Sequence, residues 1–217
     1  MKMTVKKDVS IDPLGLSGHY VRPDNAVGLV LFAHGSGSSR LSPRNNYVAD
    51  ALNQAGLATL LFDLLTEEES ANRDNVFDIP LLSGRLEMAT DWIKRQEDLK
   101  GLPLGYFGAS TGAAAALVAA ANDENGLVYA VVSRGGRPDM AIPVIDKVKA
   151  PTLLIVGGND FGVIELNEEA YAAMHCEKEL QIVPGATHLF EETGTLDQVI
   201  NLTANWFLSH MKIESSA

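Results

Sequence analysis

A serine lies between two glycines in the pentapeptide Gly108-Ala-Ser110-Thr-Gly112, which joins an apolar run to a stretch made largely of alanine. The order strand, Gly-x-Ser-x-Gly turn, helix is typical of a sharp turn that holds a nucleophilic serine at the carboxyl edge of a sheet. The helix that follows would direct the positive end of its dipole toward that serine. The pentapeptide alone fits equally well a glycine-rich turn whose serine has no catalytic role. Its interpretation therefore depends on whether the rest of the chain supplies a base and an acid for the serine.

Two later loops supply the partners that such a serine requires. A serine hydroxyl is a weak nucleophile near neutral pH and needs a histidine base that is itself oriented by a carboxylate. Asp160 follows the apolar run 151–156, and His188 follows the apolar run 180–183. Because the carboxyl ends of parallel strands meet at one edge of a sheet, both side chains are expected beside Ser110. The chain order serine, aspartate, histidine is that of the α/β-hydrolase fold.

Acyl transfer also requires backbone donors for the developing oxyanion, each of which typically contributes about 10²–10³ in rate. The amide of Thr111, at the start of the predicted helix, is expected to supply one donor. The second is expected from the glycine-rich loop 34–40, with the Ser36 amide as first candidate and the Gly37 amide as second. His34 is predicted to hold this loop by hydrogen bonding, and it is also a candidate for contact with substrate.

The same glycine-rich loop has a competing interpretation as a phosphate-binding loop. Gly35-x-Gly37 follows a predicted strand and precedes a predicted helix. The loop lacks the third glycine of a dinucleotide fingerprint and the Gly-Lys-Ser/Thr of a P-loop. Nucleotide binding is therefore the weaker interpretation of this segment.

Two arginines, Arg40 and Arg134, are predicted to lie at the same sheet edge as Ser110. A guanidinium binds carboxylates and phosphates through a planar fork of donors. One hypothesis is that Arg134 or Arg40 binds an anionic group of a substrate. The alternative is that these arginines pair with the protein's own carboxylates, such as Asp63 or Asp139.

Apolar periodicity predicts the elements that would bring these residues together. Strands are predicted at 5–11, 17–22, 27–33, 57–62, in the run before Ser110, and at 127–132, 151–156 and 180–183. Helices are predicted at 45–55, 81–96, directly after Ser110, and at 165–174 and 196–211, with an acidic loop at 66–78. This alternation predicts an α/β fold: a mostly parallel sheet with helices on both faces and an antiparallel pair at its edge. The connection 133–150 is too short for a lid domain, and residues 1–217 are expected to form a single domain.

Composition excludes several classes of function. A formal net charge of -11 argues against nucleic acid as a partner, since binding to phosphates needs clustered positive charge. The single cysteine, Cys176, excludes an internal disulfide and a cysteine-based metal site, and no metal or organic cofactor is expected. No run approaches the ~18 apolar residues of a membrane span. The N-terminus has no signal-peptide pattern, so a cytoplasmic monomer or homodimer acting on small molecules is expected.

The chain resembles the dienelactone hydrolase-like branch of the α/β-hydrolases. It is more closely similar to hydrolase domains found fused to phosphoribosyltransferase domains. The segments that carry this resemblance span nearly the whole chain: LFAHGSGSSRLSPRN (31–45), GYFGASTGAAAAL (105–117), VVSRGGRPD (131–139), APTLLIVGGND (150–160) and VPGATHLFEE (183–192). Position by position, the resemblance implies Ser110 as nucleophile, Asp160 as acid and His188 as base.

The residue at the nucleophile position departs from the family pattern. Dienelactone hydrolases proper carry a cysteine there, whereas this chain has Ser110, and its one cysteine lies elsewhere. The resemblance therefore implies a serine carboxylesterase that cleaves small to medium esters through an acyl-enzyme. Two alternatives stay open: an acyltransferase on the same three residues, and a non-catalytic domain that binds a ligand or partner protein.

Overall fold

Residues 4–212 are described by a computed structural model, and their strands form one mixed sheet. In chain order the strands are β1 (Thr4–Ile11), β2 (Leu16–Pro23), β3 (Leu29–Ala33), β4 (Ala58–Phe62), β5 (Leu104–Ala109), β6 (Val128–Arg134), β7 (Thr152–Gly157) and β8 (Lys178–Val183). Their order across the sheet is β1-β2-β4-β3-β5-β6-β7-β8. β1 and β2 are antiparallel to each other, β2 is antiparallel to β4, and all other neighbours are parallel. The predicted sheet is confirmed.

Helices cover both faces of this sheet. They are α1 (Pro43–Gln54), α2 (Glu67–Ser70), α3 (Ile79–Lys94), α4 (Thr111–Ala121), α5 (Phe161–Ala173) and α6 (Thr195–His210), with 3₁₀ helices η1 (Arg73–Phe77) and η2 (Pro138–Lys147). α1 and α6 pack on one face, whereas α3, α4, α5 and η2 pack on the other. In β3, Val30 and Phe32 contact the first set, and Leu29 and Leu31 contact the second. Strands buried on both faces explain the continuous apolar runs of the sequence.

The segment 66–78, predicted to be a loop, contains α2 and η1. A capping box starts α2: the Thr66 hydroxyl accepts from the Glu69 amide at 3.1 Å, and the Glu69 carboxylate accepts from the Thr66 amide at 2.9 Å. None of the four residues of α2 is buried, so no apolar periodicity marks this helix in the sequence. The prediction of a loop was wrong because α2 is stabilised by its N-terminal cap and has no buried apolar face that the sequence could show.

The connection between β6 and β7 is occupied by η2. This ten-residue helix packs on α4 and α5. Within residues 4–212, the helices are too short or too polar to cross a membrane.

Candidate active site

Ser110 occupies the turn between β5 and α4 with φ 52° and ψ -123°. A positive φ is rare for a residue with a side chain and needs support from its surroundings. The flanking glycines let the helix approach the sheet closely enough to provide that support. A Cβ at Gly108 would lie 2.4 Å from the Ala113 Cα, and one at Gly112 would lie 2.2 Å from the Ala33 carbonyl oxygen. The spacing of the pentapeptide is therefore a packing requirement of this turn.

His188 donates a hydrogen bond from Nδ1 to Oδ2 of Asp160 at 2.7 Å. Asp160 lies at the N-terminus of α5, where a carboxylate commonly accepts from helix amides, yet its side chain makes no such capping bond. Because an ionised carboxylate can only accept, Nδ1 carries the proton of this hydrogen bond, and whenever the ring is neutral the lone pair lies on Nε2. This arrangement can act as a base through Nε2.

Hydrogen bonds fix the two loops that carry this pair. The Asn159 amide donates to the Ala186 carbonyl oxygen at 2.9 Å, which joins the loop of Asp160 to that of His188. Within the second loop, the Thr187 amide and hydroxyl both donate to the Glu192 carboxylate, at 3.1 and 2.6 Å. These bonds to the charged form hold the pKa of Glu192 below its usual range.

Ser110 and His188 line one pocket of about 220 Å³. In the part of the chain that the structure describes, the Ser110 hydroxyl makes no hydrogen bond, so the serine–histidine contact is open in this conformation. Such contacts are often long in unliganded proteins and shorten when substrate binds. The fold thus brings the three predicted residues to one site, with His188 bonded to Asp160 and facing the same pocket as Ser110.

The expected backbone donors differ in their availability. The Thr111 amide is the first of α4, where no carbonyl of the helix can reach it. The Ser36 amide, the first candidate from the loop, already donates to Oγ1 of Thr111 at 2.9 Å. The Gly37 amide, at a residue with φ 68°, has no acceptor among residues 4–212. Of the three expected donors, the Thr111 and Gly37 amides are therefore the two that have no acceptor among residues 4–212.

His34 has both ring nitrogens engaged with backbone. The Leu64 amide donates to Nε2 at 3.1 Å, so the proton is on Nδ1, which donates to the Gly35 carbonyl oxygen at 3.0 Å. Burial lowers the pKa of His34, which keeps the ring neutral. These contacts fit the loop-holding role predicted for His34 and occupy both of its ring nitrogens. The ring also lines the larger cavity next to the Ser110 pocket, so its contact with substrate stays a prediction.

Arg40 pairs with the protein's own carboxylate. Its amide donates to Oδ1 of Asp63 at 2.7 Å, and its guanidinium donates to the other oxygen of the same carboxylate. Arg40 therefore pairs internally with Asp63, as the alternative interpretation of the sequence had it. Its side chain also lines the larger cavity next to the Ser110 pocket, so contact with substrate stays a prediction. Asp139 is paired as well, by two hydrogen bonds from Arg137 at 2.9 and 2.8 Å.

Arg134 is different, because no carboxylate in the described chain pairs with it. It is 6% exposed at the end of β6, and its Nη2 donates to Oδ1 of Asn45 at 3.0 Å. Its Nε is buried without an acceptor. Burial, and to a smaller extent the charge of Arg44, lower the pKa of Arg134 to about 10, so the group remains charged at neutral pH. A buried charge without a partner is costly to the folded state.

Arg44 and Asn45 also line the pocket, and neither was among the predicted site residues. A second cavity, of about 830 Å³, adjoins the first across the glycine-rich loop, since Ser36 and Ser38 line both. Its other walls include Phe77 of η1, a helix that the sequence did not predict. Residues 4–212 contain no cluster of three or more metal-ligating side chains arranged around a common point.

The chain matches the family model described as the dienelactone hydrolase family over residues 18–205. The crystal structure of a dienelactone hydrolase from Anabaena variabilis is 53% identical, with a TM-score of 0.92 over 97% of this chain and 99% of that one. Est1E from Butyrivibrio proteoclasticus is 17% identical, with a TM-score of 0.77 over 94% of this chain and 98% of its own. At that identity the likeness shows the fold alone.

Two curated relatives come from strains of Mycobacterium tuberculosis, and each is named "Putative phosphoribosyl transferase". Each is 59% identical over 199 residues, which are 92% of this chain but 45% of the relative. The chain thus spans about half the length of the curated relatives that it matches. More than half of each relative lies outside the matched region.

Proposed function

The chain belongs to the dienelactone hydrolase family, and on that premise we propose that it is a serine esterase acting on small to medium carboxylic esters through an acyl-enzyme on Ser110. Membership supports a hydrolase, while the serine nucleophile and the ester substrate rest on the site. The observation that carries the proposal is the 2.7 Å hydrogen bond from His188 to Asp160, with His188 and Ser110 facing one pocket. A histidine held in this tautomer is the base that a serine nucleophile needs.

The first half of the reaction forms the acyl-enzyme. Ser110 Oγ attacks the ester carbonyl carbon while Nε2 of His188 takes the hydroxyl proton. Asp160 stabilises the imidazolium that results. His188 then gives the proton to the departing alkoxide, and the alcohol leaves.

Hydrolysis of the acyl-enzyme uses the same groups in reverse. Water replaces the alcohol, Nε2 of His188 takes one of its protons, and the hydroxide attacks the acyl carbon. The Ser110 oxygen leaves and recovers its proton from His188. In both halves the oxyanion would be held by the Thr111 amide and by an amide of the glycine-rich loop, from Gly37 or from Ser36 after its bond to the Thr111 hydroxyl opens.

Cys176 does not compete with Ser110 for the role of nucleophile. It is half-buried, and its Sγ lies 3.9 Å from the Thr152 hydroxyl, away from the walls of the Ser110 pocket. Burial raises the pKa of the Cys176 thiol, which disfavours the reactive thiolate. These contacts support a serine mechanism in a family named for a cysteine-dependent type of enzyme.

We extend the proposal to the mycobacterial relatives only as far as the matched region goes. Their name refers to proteins about twice as long, of which this chain corresponds to 45%. The proposed esterase site lies wholly within that region. Residues 1–217 would accordingly act as a single hydrolase domain.

Covalent labelling tests the proposal. A fluorophosphonate probe is expected to add once to the wild-type protein, as read by intact mass, and to leave Ser110→Ala unmodified. Ser209→Ala changes an exposed serine that does not line the pocket; it is the matched control and should label like the wild type. Turnover of short p-nitrophenyl esters should be lost together with the label. A wild type that neither labels nor turns over these esters contradicts the enzyme proposal, whereas labelling that survives Ser110→Ala contradicts the site.

A further inference from the structure

We propose that Asn167 is a positioning residue for the three residues of the candidate active site. Its side-chain amide joins helix α5 to segment 134–137, which we call the bracing segment. Helix α5 begins directly after Asp160, and the bracing segment contacts both Ser110 and His188. The catalytic roles of those residues rest on the proposed function, whereas the contacts of Asn167 do not.

The bracing segment holds the backbone of Ser110 through two hydrogen bonds. The Ser110 amide donates to the Arg134 carbonyl oxygen at 3.3 Å, and the Arg137 amide donates to the Ser110 carbonyl oxygen at 3.1 Å. Ser110 has a φ of 52°, a conformation that its surroundings must maintain. A shift of the bracing segment would therefore move the serine.

The same segment lies against His188 through Gly135. This glycine has a φ of 51°, and a Cβ on it would lie 3.1 Å from the His188 carbonyl oxygen and 3.6 Å from Nδ1 of that ring. The left-handed backbone and the close approach both favour glycine. Gly135 and the next residue, Gly136, also leave the backbone more conformational freedom than other residues would. The position of the segment therefore depends on contacts from neighbouring elements.

Asn167 supplies one such contact through its side-chain nitrogen. Nδ2 donates to the Gly136 carbonyl oxygen at 3.1 Å and to the Val163 carbonyl oxygen at 2.8 Å. Because both partners are acceptors, the NH₂ end of the amide has to face them. Val163 lies in the first turn of α5, and its own amide donates to the Asp160 carbonyl oxygen at 3.0 Å. One amide group thus joins the turn beside the acid to the segment that holds the nucleophile.

Stability alone does not account for an asparagine at this position. Asn167 is fully buried inside α5, where asparagine is a poor helix former. Its Oδ1 is also buried and has no hydrogen-bond donor among the described residues, which is unfavourable for the folded state. A leucine of similar shape would avoid both disadvantages. What asparagine provides, and leucine cannot, is the donor to Gly136.

Asn167→Leu tests the proposal, and Asn53→Leu is its matched control. Asn53 of α1 likewise donates from Nδ2 to two acceptors, the Leu57 carbonyl oxygen at 2.9 Å and the Thr59 hydroxyl at 3.0 Å. Its Oδ1 is also buried without a partner among the described residues, and it does not line the Ser110 pocket. Both variants lose the same kind of contact, but only Asn167→Leu loses it beside the site.

Asn167→Leu should reduce kcat for short p-nitrophenyl esters by about ten-fold or more, with a change in KM of less than about two-fold, because a small misplacement acts on the chemical step. The second-order rate constant for fluorophosphonate labelling should fall by a similar factor. Asn53→Leu should keep both rates, even if urea unfolding shows that it loses as much stability as Asn167→Leu.

A second pair of variants tests the bracing segment itself. Gly135→Ala places a methyl group against His188, whereas a Cβ at Gly126, with a φ of 66°, meets nothing within 4 Å. Gly135→Ala and Gly126→Ala therefore share the strain of a left-handed alanine, and only the first presses on the histidine. Gly135→Ala should slow the labelling of Ser110 and Gly126→Ala should not. Equal rates in the two variants would contradict the bracing role.

Proton NMR gives a readout that does not need turnover. The Nδ1 proton of His188, identified by the loss of its signal in His188→Gln, is hydrogen-bonded to Asp160. In Asn167→Leu this proton should exchange with water several-fold faster than in the wild type, because a less constrained site opens more often. Asn53→Leu should show the wild-type exchange rate.

Unchanged kcat, labelling and proton exchange in Asn167→Leu, with an active wild type, would overturn the positioning role and leave the proposed function standing. Equal losses of kcat in Asn53→Leu would overturn it as well. If the wild type neither labels nor hydrolyses esters, the proposed function fails and proton exchange decides: faster exchange in Asn167→Leu supports the positioning role, and unchanged exchange overturns it.

Asn167→Ala covers the case in which leucine does not fit the interior. Alanine removes the same donor and cannot overpack, so it should show the same loss of kcat and the same faster exchange of the His188 proton. If neither variant folds, Asn167 is required by the fold itself and the positioning role is wrong.

Discussion

The Ser36 amide donates a hydrogen bond to the Thr111 hydroxyl at 2.9 Å, which joins the glycine-rich loop to the first turn of α4. The two residues are 75 positions apart in the chain, and each was expected to direct its amide at substrate. The Ser36 amide, one of the expected oxyanion donors, is therefore already bonded to the side chain of Thr111, the residue that carries the other. It also fixes the loop relative to Ser110. Gly35 of that loop lies close to Ser110, since a Cβ at Gly35 would be 3.0 Å from the Ser110 Cβ.

Thr111→Val should lower both activity and stability. The substitution keeps the shape of the side chain but removes the acceptor of the Ser36 amide, which would cost about 1 kcal/mol in the free energy of unfolding. Loss of the tether should also reduce kcat for short esters by about ten-fold, as a less well-oriented donor would. Thr111→Ser, which keeps the hydroxyl, serves as control. Urea unfolding and steady-state kinetics measure both effects, and a valine variant equal to the serine variant would refute the role of this contact.

Asp160→Asn should reduce kcat by about 10³–10⁴ with little change in KM, because an amide no longer favours the tautomer with the proton on Nδ1. Asp139→Asn alters a carboxylate that is paired with Arg137 and should leave kcat unchanged. Kinetics on a short p-nitrophenyl ester compare the two. A loss of less than about ten-fold in Asp160→Asn would remove Asp160 from the proposed mechanism.

His34 should make the protein sensitive to mild acid. Burial holds the pKa of its folded state below the ordinary value of 6.5, so the unfolded state binds more protons as the pH falls through that value. Stability should therefore decrease as the pH is lowered below 6.5, by at most about 1.4 kcal/mol per pH unit from this one group.

The comparison that isolates this histidine is His34→Gln, which cannot gain a proton in this range. Its free energy of unfolding near neutral pH should be lower than that of the wild type, since two hydrogen bonds are altered, but its decline toward acid should be shallower. Chemical denaturation at a series of pH values gives both slopes. Parallel slopes would show that acid sensitivity does not come from His34.

Gly112→Ala should be strongly destabilising, because its Cβ would lie 2.2 Å from the Ala33 carbonyl oxygen, which belongs to a buried strand. We expect a loss of about 3 kcal/mol or more, or failure to fold, as backbone must move to relieve this overlap. Gly84→Ala is the control, since a Cβ there meets nothing within 4 Å and the residue lies on the exposed side of α3. That variant should gain about 0.5–1 kcal/mol. Urea unfolding of both measures the difference, and equal stabilities would exclude the packing role of Gly112.

Much of the fold was predictable because its strands are buried on both faces. Apolar runs such as 151–156 indicated the strands of the parallel sheet to within a few residues, and that sheet in turn predicted where the following loops lie. The helix α2 escaped prediction because it buries no residue and depends on the capping pair Thr66 and Glu69. Helix α5 begins at Phe161 instead of the predicted 165, directly after Asp160.

The sequence by itself determined the turn at Ser110 and the placement of Asp160 and His188 after later strands, because local sterics and parallel strand order are sufficient for both. Only the tertiary structure decided how the polar groups pair. Arg40 pairs with the Asp63 carboxylate. Arg134 instead donates to the side-chain oxygen Oδ1 of Asn45, and no carboxylate of the described chain pairs with it. Such pairing depends on ångström-scale distances between elements up to 89 residues apart in the chain. Hydrogen bonds and ion pairs depend on distances of this scale, and the types and spacing of residues in the sequence do not specify those distances.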